Sequence, residues 1–313
     1  MLRFILRRLF SGIVLLFVIT TIAYVLLYLG GGNIARRILG TSATQANVQA
    51  KAASLGLDRP LIVQYIDWLG NALHGDFGAS WFTGQPVADA ISSRAAVTLS
   101  IVIGATVLSA IVAVILGVWA AVRRGGVDRS VQVLSVLGFA IPGFLIALGL
   151  VLIFAINLHW FKPTGYIPFT DSPSGWLSSV TLPIIALAIG SIAGVTQQIR
   201  GSVIDALRQD YVRTLRSRGL SSSRVIYKHV LRNAGGPALA ILAVQFIGLL
   251  GGAVIVEQIF AIPGLGQVSV SATTQGDIPL VMGLVVITAI IVVVVNLLID
   301  LLQGWLNPKV RLS

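Results

Sequence analysis

The chain has 313 residues, of which 56% are hydrophobic and 11% charged, and its mean hydropathy is +0.92. Soluble domains carry about 25% charged residues, so the polar surface that a water-soluble fold of this size needs is missing and a bilayer is the solvent that fits. Cysteine is absent, which excludes disulfides and thiolate metal sites; the net charge of +11 would suggest nucleic acid in a soluble protein, but here its placement matters more than its size.

A helix crossing the hydrocarbon core needs about 20 predominantly apolar residues. The first charge-free window that can hold one runs from Leu9 to Ala35. It follows the basic start Arg3, Arg7 and Arg8, as the core of a signal peptide would. Its apolar stretch from Leu9 to Leu29 is nevertheless longer than such a core, and no A-x-A-like site follows. It is expected to be a retained first helix. The insertion from about Gly30 to Arg94 comes next. Within it, Ala46 to Leu55 predicts one helix, and Leu61, Tyr65, Trp68 and Leu69 fall at helical spacing in a second, Leu61 to Leu73. Asp58-Arg59-Pro60 separates the two. The chain thus divides into residues 1–94, a first span with a small external cap, and residues 95–313, a core of five further spans.

Those five windows are Ala95 to Val122, Ser130 to Phe161, Ser172 to Ile199, Asn233 to Val256 and Ile278 to Ile299. In the second span, Gly104, Ala105, Ser109, Ala110 and Ala113 predict close approach to a neighbouring helix. Gly248, Gly251, Gly252 and Ala253 predict the same in the fifth. Pro142 removes a backbone hydrogen bond inside the third span and should bend it. Pro163, Pro168 and Pro173 mark a loop between the third and fourth. Glu257 and Asp300 lie at span ends. Pro142, Glu257 and the turn Pro263, Gly264 and Gly266 are candidates for a gate or translocation path.

Charge orients the whole. With both termini in the cytoplasm, the inside segments hold Arg3, Arg7, Arg8, Arg123, Arg124 and Arg129, the cluster from Arg200 to Arg232, and Lys309 and Arg311. The outside segments keep only Arg36, Arg37, Lys51, Arg59, Arg94 and Lys162. The positive-inside rule therefore predicts an all-α integral membrane protein with six transmembrane helices and cytoplasmic ends.

Catalytic constellations are missing. His74, His159 and His229 are scattered and form no H-E-x-x-H pair, and no G-x-S-x-G occurs. A nucleotide-binding P-loop requires G-K-[ST], yet none of Lys51, Lys162, Lys228 and Lys309 follows a glycine. Any energy from ATP must arrive from another subunit. A self-contained channel or ion-coupled carrier would want polar or charged residues at mid-span, and few exist.

The loop from Arg200 to Arg232 is patterned. Ile204, Leu207, Tyr211 and Leu215 make one apolar stripe on a helix, with Arg208, Arg213, Arg216 and Arg218 around the rest. Gly219 is placed to stop that helix, and Ser221, Ser222 and Ser223 offer N-caps for a second one, Val225 to Leu231. Spacing alone leaves two readings open: arginines that meet solvent and anionic lipid, or a docking element for a partner.

The residues Asp210-Tyr-Val-Arg-Thr-Leu-Arg-Ser-Arg-Gly-Leu220, followed by His229-Val-Leu-Arg-Asn-Ala234, resemble the cytoplasmic "EAA" loop of binding-protein-dependent ABC importer permeases. The narrower likeness is to the dipeptide/oligopeptide/nickel class. Further segments resemble that class: Leu55-Gly-Leu-Asp-Arg-Pro-Leu61, Gln64-Tyr65, Gly75-Asp-Phe-Gly78, Ala140-Ile-Pro-Gly-Phe144, Glu257 through Gly266, Asp277-Ile-Pro279, Asn296 through Asp300 and Asn307-Pro-Lys-Val-Arg311. Three places depart from the class pattern. Gly30-Gly-Gly-Asn33 stands where an early P-G-D-P is expected, Leu215 is bulkier than the small residue expected, and Asn307-Pro-Lys309 replaces D-P-R.

The resemblance implies a type I ABC importer permease-like fold in the cell (inner or plasma) membrane. It implies a pore shared with a second homologous permease, two ABC ATPase subunits and an external substrate-binding protein. ATP and Mg would be bound by the ATPases, with no cofactor on this chain. Asp210, Tyr211, Val212, Arg213, Thr214, Leu215, Arg216, Arg218, Gly219 and Leu220 would form the ATPase-coupling segment. Peptides are the default cargo of the class, and nickel or another small solute is the alternative.

Overall fold

The computed structural model describes residues 2–30 and 34–306. The departures at Gly30-Gly-Gly-Asn33 and Asn307-Pro-Lys309 therefore fall wholly or largely outside the described residues. Among those described, helices account for the named elements, and the extended pairing is limited to an isolated bridge between Ala79 and Pro86.

In chain order the helices are α1 (Leu2–Gly30), α2 (Ile34–Leu39), α3 (Gln45–Ser54), α4 (Leu61–Leu73), α5 (Val87–Arg123), α6 (Gly125–Ala140) and α7 (Gly143–Leu150). They continue with α8 (Pro173–Leu207), α9 (Asp210–Ser217), α10 (Ser222–Arg224), α11 (Leu231–Ile259), α12 (Leu265–Gln275) and α13 (Ile278–Leu306). Two π-helical stretches extend them: Val151–Asn157 after α7, and Val225–Val230 between α10 and α11.

Among the described residues, five helical stretches are long and apolar enough to cross a membrane: Ile5–Leu29, Val87–Arg123, Pro173–Leu207, Ser222–Ile259 and Ile278–Trp305. The third expected span is instead a broken pair, Gly125–Ala140 and Gly143–Asn157, bent by 93°. A simple kink was expected there. The break follows from Pro142 acting on both sides. Its ring denies a donor to the helix, and it pushes the residue before it out of the helical region. Ile141 accordingly sits at φ −86° and ψ 119°.

The outward faces of these helices are apolar. Phe10, Ile13, Phe17 and Ile22 on α1, Ile111 and Ile115 on α5, and Leu134 and Val136 on α6 are all exposed. Apolar exposure on this scale needs a non-aqueous solvent or a partner, while helices satisfy their own backbone groups in lipid.

The chain forms two compact units. One comprises Leu2–Val97 with Gly264–Val294. Its core gathers Tyr24, Ile34, Tyr65, Ile278 and Met282, with Trp68 and Trp81 packed against them. Tyr65 stacks on Trp68 at 6.0 Å, and its hydroxyl shares hydrogen bonds with Thr20 at 3.2 Å and Thr21 at 2.9 Å. Thus α4 is fastened to the inner face of α1. The helices predicted at Ala46–Leu55 and Leu61–Leu73 are both present, shifted by one residue in the first case. Two further helices, α2 and α12, had no counterpart in the sequence reading. They are tied by Arg37, which donates to the Thr274 carbonyl at 3.2 Å.

The other unit comprises Thr98–Pro263 and the chain from Val295. Its centre is α8, which packs against α6, α7 and α11 and buries Leu182, Ala188, Val195, Ile199 and Val203 almost completely. At the α5–α8 seam a Cβ on Gly104 would lie 2.5 Å from Ile184 Cδ1. Ala105, Ser109 and Ala113 on the same face are fully buried, and Ser109 Oγ donates to the Ala188 carbonyl at 3.3 Å. The small-residue reading of the second span holds there. In α11 it holds only in part: a Cβ on Gly252 would lie 3.3 Å from Leu187 Cδ2 and Ala253 is buried, whereas a Cβ on Gly251 would meet nothing within 4 Å.

Candidate functional site

The segment between α8 and α11 begins where α8 ends. The stripe Ile204, Leu207, Tyr211, Leu215 was expected on a single helix. The structure breaks it after Leu207, because Gln209 takes an extended conformation at φ −69° and ψ 148° and α9 restarts at Asp210. An acidic residue in the first turn suits the positive end of the new helix. All four stripe residues still meet in one place. With Leu220 and Leu231 they pack against a core of Val203, Val212, Val225, Ile226 and Val230. The apolar face of α9 therefore serves to hold it on the bases of α8 and α11.

Gly219 ends α9 as expected. It adopts φ +81°, its N–H reaches the Arg216 carbonyl at 2.9 Å, and the Leu220 N–H reaches the Leu215 carbonyl at 3.2 Å. This pair of bonds, with the apolar partners Leu215 and Leu220, is the Schellman arrangement. The left-handed backbone costs an L-residue about 1–2 kcal/mol and glycine little. Beyond it, Ser221 flanks α10 as its N-cap residue without a side-chain capping bond. The second helix differs from expectation: α10 and the Val225–Val230 stretch run on into α11, so it forms the base of the fifth long helix and does not hang apart from it.

Burial divides the predicted coupling residues into two groups. Val212 is fully buried, and Tyr211, Leu215 and Leu220 are half-buried against the core. Asp210, Arg213, Thr214, Arg216, Arg218 and Gly219 are exposed, as are Arg208, Arg224 and Lys228 nearby. Arg213 and Asp210 approach at 3.7 Å while both remain open to solvent, a pairing of little energetic weight. A basic, exposed edge thus stands on an apolar foot. The sequence pattern drew attention to the foot, and the edge is the part free to meet another molecule.

This foot is braced from a further helix. Arg200, near the end of α8, forms a two-pronged ion pair with Asp128 in the first turn of α6, one prong being Nη2 to Oδ2 at 2.6 Å. Both side chains are about one-fifth exposed, and a bidentate arrangement of this type fixes orientation as well as distance. The sequence reading counted Arg200 only as a positive-inside charge.

The gate candidates differ in exposure. Pro142 is exposed at the α6–α7 bend. Glu257, at the end of its span, is fully buried, and Thr98 Oγ1 donates to its Oε1 at 2.5 Å. Pro263 is exposed, whereas Gly264 and Gly266 are buried. Between Glu257 and Pro263 the chain folds back tightly, with the Ile262 N–H on the Glu257 carbonyl at 2.8 Å and Ala261 at φ +47°.

Within the other unit, Asp277 is a site that sequence reasoning passed over except as part of a motif. It is buried, accepts a 2.5 Å bond from Ser80 Oγ and a 3.2 Å bond from the Trp81 N–H, and so clips the loop before α5 to the start of α13.

The family described as binding-protein-dependent transport system inner membrane component matches residues 113–312, and the N-terminal family of such membrane components matches residues 1–102. A Brucella abortus (strain 2308) protein described as a peptide transport system permease is 38% identical over 308 residues, covering 98% of each chain. The oligopeptide transport system permease protein AppB of Bacillus subtilis (strain 168) is 35% identical over 313 residues, covering 98% of this chain and 99% of AppB. In fold, a chain of the MetNI methionine ABC transporter in an inward-facing conformation aligns with a TM-score of 0.55 at 15% identity, covering 67% of this chain and 93% of that one. With both family matches together spanning nearly its whole length, this chain belongs to the inner membrane components of binding-protein-dependent transport systems.

Proposed function

We propose that this chain is the permease subunit of an ATP-driven peptide importer, crossing the bilayer six times with both termini in the cytoplasm. Its partners are a second, similar permease, two ATPase subunits that bind ATP and Mg, and an external protein that delivers the peptide. The single observation that carries the coupling role is α9, a short helix whose apolar side is anchored on α8 and α11 while Arg213, Arg216 and Arg218 project outward. A solvent-facing loop without a partner would need no such rigid foot. The peptide cargo is supported by the full-length similarity to peptide permeases.

Mechanically, the exposed edge of α9 docks on an ATPase, and closure of the ATPase pair displaces it. Because Val212 and its neighbours are packed against the ends of α8 and α11, the displacement is passed to two long helices rather than dissipated in a flexible loop. Nucleotide shifts the conformational equilibrium only by binding the docked, closed arrangement better than the open one.

The test is reconstitution. The chain with its partner subunits and the binding protein should take up a labelled oligopeptide in the presence of ATP, and the chain alone should take up none. Uptake by the chain alone would establish a self-sufficient carrier and refute the proposal.

A further inference from the structure

We infer that the cavity beside the Pro142 bend is an uncharged subsite that receives the backbone of the transported peptide, with Ser191 and Gln245 as its hydrogen-bonding groups. The inference rests on the peptide-importer reading and adds the residues and the part of the peptide they recognise. The cavity has a volume of about 340 Å³ and lies within one unit, between the α6–α7 bend, the middle of α8 and the middle of α11. That volume falls within the range of small-ligand sites.

Its lining contains no acid, base or histidine. A divalent cation would find neither carboxylate nor imidazole there, and a charged side chain would find no counter-charge. The polar side chains are one hydroxyl and one carboxamide, each able both to donate and to accept. A peptide backbone offers N–H donors and carbonyl acceptors in equal number, so these two groups suit it whatever its side chains.

Two features point to an occupant. Ser191 is 96% buried, and its Oγ finds no hydrogen-bond partner among the described residues. Buried hydroxyls normally have one, so Ser191, on the cavity wall, keeps a hydrogen-bonding capacity that no described residue uses. The wall around it is stripped of side chains at Gly190 and Gly248, which allows a main chain to come close. The Gln245 carboxamide lies over Gly194, where a Cβ would collide with it, so a side chain there would displace it.

The experiment uses the complete transporter in proteoliposomes, with trialanine uptake by the wild type measured first. The natural chain has no cysteine, so Ser191→Cys places a single thiol of this chain in the cavity. Val244→Cys places one on α11 at a position that is 63% exposed and outside the lining. N-bromoacetyl-trialanine is then supplied through the binding protein, and alkylation of this chain is followed by mass spectrometry with and without ATP. The expected result is ATP-dependent alkylation of the Ser191→Cys variant about tenfold faster than of Val244→Cys, as confinement beside a reactive group provides. Gln245→Leu should lower trialanine uptake about tenfold, the loss of roughly one hydrogen bond. Equal alkylation of the two thiols, or none at Ser191→Cys while the wild type imports trialanine, overturns the subsite and leaves the importer reading standing. A wild-type complex that carries Ni²⁺ but no trialanine overturns both.

Discussion

Gly219 shows how much a single residue can carry. Its φ of +81° is adopted in the bonds that close α9, and no neighbouring atom within 4 Å would obstruct a Cβ, so conformation alone demands glycine. Gly219→Val should cost about 1–2 kcal/mol locally, enough to shift the orientation of α9 about tenfold. Peptide uptake should fall accordingly, while membrane insertion and thermal stability of the purified complex stay near wild type. This residue was legible because the requirement is local. The Arg200–Asp128 pair, separated by 72 positions, was not, since nothing near either residue names its partner. Arg200→Ala should destabilise the protein by about 1.5–3 kcal/mol, the range for hydrogen bonds to charged groups, read as a lower Tm in detergent. The exchange Arg200→Asp with Asp128→Arg should recover part of it. Glu257 was placed correctly at a span end, but its partner Thr98, 159 positions away, was no more legible than the partner of Arg200.

At the scale of helices, apolar windows located each long segment but could not say which were continuous. Pro142 carried enough information for the break, since the restriction it places on Ile141 is as strong as the donor it removes. The interruption at Gln209 had no glycine or proline to announce it, and α9 separates from α8 because packing on Val225, Ile226 and Val230 rewards the turn. Small residues gave a correct but incomplete account of helix contacts. Gly104→Leu should force Ile184 aside and destabilise the α5–α8 seam by about 1–3 kcal/mol, seen as reduced thermal stability. Gly251→Ala should be neutral or slightly stabilising, because it meets open space and alanine favours the helix by about 0.5–1 kcal/mol. If the two substitutions behaved alike, the packing described for α5 and α11 would be wrong.

For the whole molecule, composition alone fixed the solvent, and the exposed apolar helix faces bear that out. The clustering of Gly264–Val294 with the N-terminal unit could not be read from the sequence, because it depends on contacts such as the Ser80–Asp277 clip between residues 197 positions apart. Ser80→Ala should loosen that clip and lower Tm, while leaving ATP hydrolysis by the assembled complex intact, since the unit holding α9 is untouched. The central claim, that the α9 edge faces a nucleotide-hydrolysing partner inside the cell, reduces to the side of the membrane on which Ser222 lies. Ser222 is exposed next to that edge, and the chain offers no other thiol. A membrane-impermeant maleimide applied to cells expressing Ser222→Cys should label this chain only after the membrane is permeabilised; labelling of intact cells would contradict the account.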